Sequence, residues 1–245
     1  MILSSADNDI NVYNIKNYFP KIVTILIQNG RRGGMLDIFN QEFKKRLNKK
    51  KEIDYFFVFG KAIQKKYSQF VNSKYYSTGS IKNNFNKILI QKKKYGNKVL
   101  FVSQFRANNK PLWKYKKKTY NYDEIYKNEK KLFFELSKFC EKNNLNLYIL
   151  PSQNKSSKYF QEEIDFFSKI KTNLNQIKIL NKSKIYDSYK YLSNFDIIFG
   201  LESTLMYESL PRYKKLAFFS RFENIDNYRF AWPLNKQKKG FFFLK

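Results

Sequence analysis

The chain has 245 residues, 42% hydrophobic and 19% aromatic, enough for one large domain or two small α/β ones and too apolar for a disordered chain. His at 0 excludes serine–histidine and cysteine–histidine machinery, His-ligated zinc or haem and an imidazole base, while the single Cys140 excludes an internal disulfide or a thiolate metal cage. Lys and Arg total 48 against 20 Asp and Glu, and the resulting +28 favours anionic partners such as nucleotides, phosphates, lipid headgroups or nucleic acid.

Short apolar runs alternate with amphipathic stretches along the whole chain. Ile22–Gln28 reads as a strand, Asp37–Leu47 as a helix with Ile38, Phe39, Phe43 and Leu47 near one face, and Tyr55–Phe59 as a buried strand ending at Gly60. Ala62–Phe70 returns as a helix and Lys74–Thr78 as a strand running into Gly79. From Val99 the pattern is sharper: strand Val99–Ser103, a long helix Tyr122–Cys140 and strand Leu147–Leu150, closed by Pro151. Helix Tyr159–Ile170, strand Ile177–Leu180, helix Ile185–Leu192, strand Asp196–Phe199, helix Ser203–Leu210 and strand Leu216–Phe219 follow. This alternation predicts an α/β protein of two Rossmann-like parallel sheets covered by helices on both faces, joined in the Lys-rich stretch Ile90–Lys98.

Ligands of open parallel sheets lie beyond the carboxyl ends of the strands, so the residues after each strand carry the functional information. Gln28-Asn29-Gly30-Arg31-Arg32-Gly33-Gly34 offers two guanidinium groups in a flexible loop, an anion cradle or an ordinary turn. Ser77-Thr78-Gly79-Ser80-Ile81-Lys82-Asn83-Asn84 reads as a turn and helix cap. Ser103-Gln104-Phe105-Arg106 puts a hydroxyl, an amide and a phosphate-matching guanidinium at the mouth of the second sheet, with a plain surface Arg as the alternative.

The most informative segment is Gly200-Leu201-Glu202-Ser203-Thr204-Leu205-Met206-Tyr207-Glu208. Gly200 allows a sharp exit from the strand, and Ser203 and Thr204 open a helix whose N–H groups and dipole favour an anion. Glu208 lies five residues after Ser203 and four after Thr204, out of place for a capping box. There it either accepts ribose hydroxyls or sits in a salt bridge or in solvent. Glu202 argues against phosphate, because it would itself occupy the positive end of the dipole.

The charge has a second explanation. Lys, Asn, Ile, Phe and Tyr are all specified by A- and T-rich codons, and the Lys runs, such as Lys49-Lys50-Lys51 and Lys116-Lys117-Lys118, are spread along the chain as a solvated surface would be. No apolar run approaches the 18 or more residues of a membrane helix, and the first residues do not form a signal peptide. The chain is therefore expected in the cytoplasm, with Cys140 a buried thiol and peripheral contact with the inner, anionic membrane face as a further expectation.

Gly79-Ser80-Ile81-Lys82-Asn83-Asn84, Leu100-Phe101-Val102-Ser103-Gln104-Phe105-Arg106, Ser188-Tyr189-Lys190, Asp196-Ile197-Ile198, Ser203-Thr204-Leu205-Met206-Tyr207-Glu208, Trp232-Pro233 and Lys239-Gly240-Phe241-Phe242 stand in the order found in one bacterial group. The chain resembles surface-carbohydrate (lipopolysaccharide or capsule) biosynthesis proteins that look like GT-B glycosyltransferases. That resemblance implies an acceptor-side Rossmann-like domain over residues 1–95 and a nucleotide-sugar-binding domain over 96–245, both incomplete at the chain ends. It implies that Ser203 and Thr204 meet the donor phosphates, that Glu208 meets the ribose, and that Ser103 and Arg106 form the opposite wall of the donor site. Gly79, Ser80, Asn83 and Asn84 would line a cleft loop.

The activity implied is transfer of a sugar, or a related polyol phosphate, from a nucleotide donor to a glycan or lipid-linked acceptor. It requires no cofactor and no metal where cations and helix termini neutralise the leaving phosphates. Without His any acid–base work falls to Asp, Glu, Tyr or Lys; the base is not assigned, and a carboxylate from the first domain, Asp37 or Asp54, or from a part of that domain ahead of the chain is a candidate. The rival readings are a nucleotide-sugar epimerase or hydrolase of the same fold, a non-catalytic fragment, and a basic nucleic-acid-binding module, although no specific nucleic acid is expected.

Overall fold

The computed structural model describes residues 1–32, 38–41, 43, 50–84, 96–106, 113–115, 118–170, 177–184, 186–201, 203–212 and 215–219. In chain order the elements are β1 (Ile2–Ser4), α1 (Ile10–Tyr18), β2 (Thr24–Ile27), α2 (Ile38–Gln41), β3 (Lys51–Val58), α3 (Lys61–Tyr67), β4 (Val71–Ser77) and α4 (Ile81–Asn84). Then come β5 (Lys98–Val102), β6 (Trp113–Tyr115), β7 (Lys118–Tyr120), α5 (Tyr122–Lys142), β8 (Asn146–Leu150), α6 (Phe160–Ser168) and β9 (Ile177–Ile179). The chain continues with α7 (Asp187–Ser193), β10 (Ile197–Gly200), α8 (Thr204–Glu208), a 3-10 turn at Leu210–Arg212 and β11 (Lys215–Phe218). They form two compact units, the first built on β1–β4 and the second on β5–β11. The stretch expected to join them lies mostly in residues 85–95, outside the described ones.

The first unit holds a parallel sheet in sequential order, β1-β2-β3-β4. Right-handed crossovers between strands added in sequence put every connecting helix on the same face. Accordingly Tyr13 of α1, Ile38 and Phe39 of α2 and Tyr67 of α3 pack with Leu26, Phe56 and Val58 into one core. The opposite face carries the register row Leu3, Ile25, Tyr55 and Lys74, with Leu3 61% and Tyr55 37% exposed. Cover on both faces, expected for both sheets, is thus not what the described helices give this one. Two elements, β1 and α1, lie ahead of the first strand that the sequence predicts.

The second unit holds a five-stranded parallel sheet in the order β11-β10-β5-β8-β9. Counted within the unit this is 3-2-1-4-5, the doubly wound order of nucleotide-binding sheets. After β9 the chain crosses back to the other side of β5, and that reversal puts helices on both faces. Val99 and Phe101 of β5 point to a core with Ile125, Phe133 and Cys140 of α5 and Phe167 of α6. Leu100 and Val102 point to a second core with Tyr189 and Leu192 of α7 and Met206 of α8. A strand buried on both faces reads as an unbroken apolar run, which is why Val99–Val102 is so legible in the sequence. A two-stranded antiparallel hairpin, β6-β7, has no counterpart in the sequence reading.

Candidate functional site at the carboxyl ends of β5 and β10

The reversal of strand order falls between β5 and β10, which pair in parallel from Ile197↔Val99 to Gly200↔Val102. Their exits therefore leave side by side at the end of the sheet where doubly wound proteins hold ligands. Gly200 has a different purpose from a sharp turn: its φ is not in the left-handed region. Instead a Cβ there would lie 3.0 Å from the Val102 carbonyl oxygen and 3.2 Å from Met206 Sδ, so the glycine permits close approach of strand to strand and helix.

The β5 exit is held from three sides. Ser103 is buried, donates its hydroxyl to Glu163 Oε1 at 2.6 Å and accepts the Phe105 N–H at 3.0 Å. Gln104 N–H donates to Glu129 Oε1 at 2.8 Å, and Arg106 N–H donates to the Tyr126 hydroxyl at 2.9 Å. Arg106 itself is exposed. Glu163, only 1% exposed, also accepts the Ser152 and Gln153 N–H groups at 2.8 and 2.9 Å, which ties in the exit of β8. Burial pushes its carboxyl up, opposed by these hydrogen bonds and by Lys182, whose Nζ donates to the Ser152 carbonyl at 2.9 Å.

At the β10 exit Ser203 is the N-cap of α8, its hydroxyl accepting the Leu205 N–H at 3.3 Å. Helix α8 has only 5 residues, so the dipole invoked for anion binding is that of little more than one turn. Thr204 is half-buried at its start. Glu208 is 6% exposed and receives the Tyr189 hydroxyl at 2.8 Å. The Arg212 charge acts on the same carboxylate, and its guanidinium lies 5.9 Å from the Tyr189 ring centroid. Glu208 therefore stands in a buried cluster with Tyr189 and Arg212 and not in solvent. Burial and the Glu208 charge push the Tyr189 hydroxyl well up. Glu202 lies outside the described residues.

The other anticipated residues are in the first unit. The anion that Arg32 faces is internal: its Nε donates to Asp7 Oδ2 at 2.8 Å and its Nη2 pairs with Oδ1 of the same carboxylate. Asp7 also takes the Asn29 N–H at 3.0 Å and the Tyr67 hydroxyl at 2.9 Å, and burial pushes its carboxyl up against these partners. Gly33, Gly34 and the candidate base Asp37 lie outside the described residues. The other candidate base, Asp54, is engaged near the amino end of β2, where Lys16 Nζ and Thr24 N–H donate to it at 2.9 and 2.7 Å. Burial raises its carboxyl, but those bonds outweigh the effect and hold it below the usual value.

Ser80, Asn83 and Asn84 cap one another. Asn83 N–H reaches Ser80 Oγ, Asn84 N–H reaches the Ser80 carbonyl, and Asn84 Nδ2 reaches the Thr78 carbonyl. Gly79 has φ 75°, the left-handed value a turn there needs. Lys82 Nζ donates to Asn29 Oδ1 at 2.6 Å, joining this turn to the loop after β2.

Four buried groups at the strand exits escaped the sequence reading: Asp7, Glu129, Glu163 and Lys182. For two of them a signal existed. Glu163 shares a helical stripe with Phe166 and Phe167, and Glu129 shares one with Ile125, Tyr126 and Phe133. An acid on an apolar stripe is buried, and a buried acid must find donors.

Fold and site together define an α/β protein with a doubly wound sheet and a polar switch point. The profile of a family described as "putative O-antigen biosynthesis protein" matches residues 25–245, and the chain belongs to that family. Its description links the chain to the making of surface carbohydrate. No curated protein matches the chain. Among the described residues no helix is long and apolar enough to cross a membrane.

Proposed function

We propose that the chain binds a nucleotide-activated sugar at the β5/β10 switch point and transfers the sugar to a hydroxyl of a glycan or lipid-linked acceptor. The observation that carries this reading is the strand order, which brings the exits bearing Arg106 and Ser203–Thr204 to one end of one sheet. Arg106 supplies a cation for the diphosphate, and the start of α8 supplies hydroxyl and amide donors. Ser103 and Glu208, both buried, support these exits from behind.

In the reaction the acceptor oxygen bonds to the anomeric carbon while the bond from that carbon to the phosphate oxygen breaks. The electron pair leaves on the nucleoside diphosphate, and the hydroxyl proton passes to a carboxylate or to water. Charge grows on the diphosphate as the bond breaks, so a preplaced guanidinium stabilises the transition state more than the ground state.

The test is release of nucleoside diphosphate from UDP-, GDP- and CDP-activated sugars, with and without a lipid-linked saccharide acceptor. Acceptor-dependent release from one donor is expected, falling about 10- to 100-fold in Arg106→Ala with the loss of a charged hydrogen bond. Release of free sugar without acceptor would replace transfer by hydrolysis. No turnover and no binding of any donor would overturn the reading.

A further inference from the structure

The loop that carries Arg106 is held by a carboxylate that lies out of reach of solvent. Glu163, on α6, spans two strand exits: it accepts Ser103 Oγ at 2.6 Å after β5, and Ser152 N–H at 2.8 Å and Gln153 N–H at 2.9 Å after β8. Ser152 Oγ lies 3.2 Å from Glu163 Oε2 and also reaches the Phe105 carbonyl, so the two exits are bonded directly as well as through the carboxylate. Behind them Lys182, from the exit of β9, is 7% exposed and donates to the Ser152 carbonyl. Three consecutive exits of the sheet are thus drawn onto one acid–base pair.

The cost of that arrangement shows that it is not ordinary packing. A carboxylate moved from water into a protein interior loses several kcal/mol of hydration even after relaxation. Glu163 recovers this only with its full set of donors in place. The set is geometrically exacting: a side-chain hydroxyl and two successive backbone N–H groups must converge on one carboxyl group. A loop bound in this way has one shape.

We propose that Glu163, backed by Lys182, is a positioning residue that fixes the Ser103–Arg106 loop in its ligand-ready form, so that a group that never touches the nucleotide sets the affinity for it. This rests on the function proposed above for the location of the nucleotide. The ordering of the loop does not. Glu129 of α5 accepts the Gln104 N–H and so also bears on this loop, whereas Glu163 joins the exits of two strands.

The experiment compares wild type, Glu163→Gln, Arg106→Ala and the double variant. Gln keeps the shape of Glu but presents an NH2 where Ser152 N–H or Gln153 N–H needs an acceptor. Ser103→Ala, which removes one donor to Glu163 together with the acceptor of the Phe105 N–H, serves if Glu163→Gln does not fold. Two readouts are taken. The first is backbone amide exchange by mass spectrometry without ligand. Peptides covering Gln104–Arg106 are expected to exchange faster in Glu163→Gln, while those covering Val99–Val102 of β5 keep their protection.

The second is calorimetric affinity for whichever of UDP, GDP and CDP binds the wild type most tightly. Loss of a charged hydrogen bond costs about 10- to 100-fold in affinity, and Glu163→Gln, which misplaces Arg106, is expected to weaken binding within that range. Adding it to Arg106→Ala is then expected to cause little further loss, because both act through the same guanidinium. A merely structural role would make the two losses multiply. Unchanged exchange of Gln104–Arg106 in Glu163→Gln, or multiplying losses, overturns the proposal. If the wild type binds none of the three nucleotides, the proposed function fails and the exchange result alone decides the role of Glu163.

Discussion

Asp7 has no exposed surface, and what it holds explains why Arg32 after β2 is engaged inside the fold. Arg32 satisfies a buried carboxylate that also takes a backbone N–H and the Tyr67 hydroxyl. Removing one partner leaves the other charge buried alone, so Asp7→Ala is expected to cost about 3–5 kcal/mol in urea unfolding. A cost below about 1 kcal/mol would show that the pair contributes little. Cys140 is buried and its thiol is pushed up to about 11 by that burial. Because the thiolate is the reacting form, the native chain is expected to resist a disulfide reagent at about pH 8 and to react once unfolded. Asp54 and Asp187 lie on the other side of the usual value, both held low by hydrogen bonds from Lys16 and Thr24 and from Lys184 and Ser183, respectively. The unfolded chain then binds protons first as the pH falls. Their contribution is fully present above the unfolded value of about 3.9 and is lost as acid titrates the folded groups below it. Acid titrations of Asp54→Asn and Asp187→Asn are expected to lose part of this acid lability.

The elements show which signals a sequence transmits. Helix α5 is legible because Ile125, Leu132, Phe133, Leu136 and Cys140 keep helical spacing over 21 residues. Its start is equally plain chemically: Asn121 and Glu124 form a reciprocal capping box. Asn121→Ala is expected to cost about 0.5–2 kcal/mol. By contrast α1 is written in Asn and β-branched residues with no clear stripe, and only Asp9, capping Asn11 N–H, marks it. The β6-β7 hairpin is hidden because the two residues between its strands in sequence, Lys116 and Lys117, carry none of the usual turn chemistry. Gly200 was legible as special, but the reason was not, since close approach to Val102 is a tertiary fact. Gly200→Ala must displace a backbone carbonyl, and is expected to destabilise by about 1–3 kcal/mol in the same unfolding assay. A neutral result would mean that the two strands can part locally without cost.

At the scale of the whole chain, the strand–helix rhythm carried the α/β class and the location of the exits, because alternation is a local property. It did not carry the strand order, which decides that β5 and β10 are neighbours and hence that Ser103–Arg106 and Ser203–Thr204 share one end of a sheet. Nor did it carry the burial of Ser103 and Glu208, since a polar side chain looks the same in sequence whether it meets solvent or a buried partner. The charge of +28 acts on every part of the molecule through self-repulsion. Salt is therefore expected to raise the melting temperature as it screens that repulsion, between about 0.05 and 0.5 M. The central claim, a nucleotide at the switch point, is tested most directly by thermal shift of the full chain with UDP, GDP, CDP, CMP and single-stranded DNA at low and moderate salt, repeated for Arg106→Ala. At about 100 times its dissociation constant a specific ligand stabilises the fold by about 2.7 kcal/mol. The account predicts one nucleotide that stabilises at both salt concentrations and loses its effect in Arg106→Ala. Stabilisation by DNA alone, erased by salt, would contradict it and leave the charge as the source of binding.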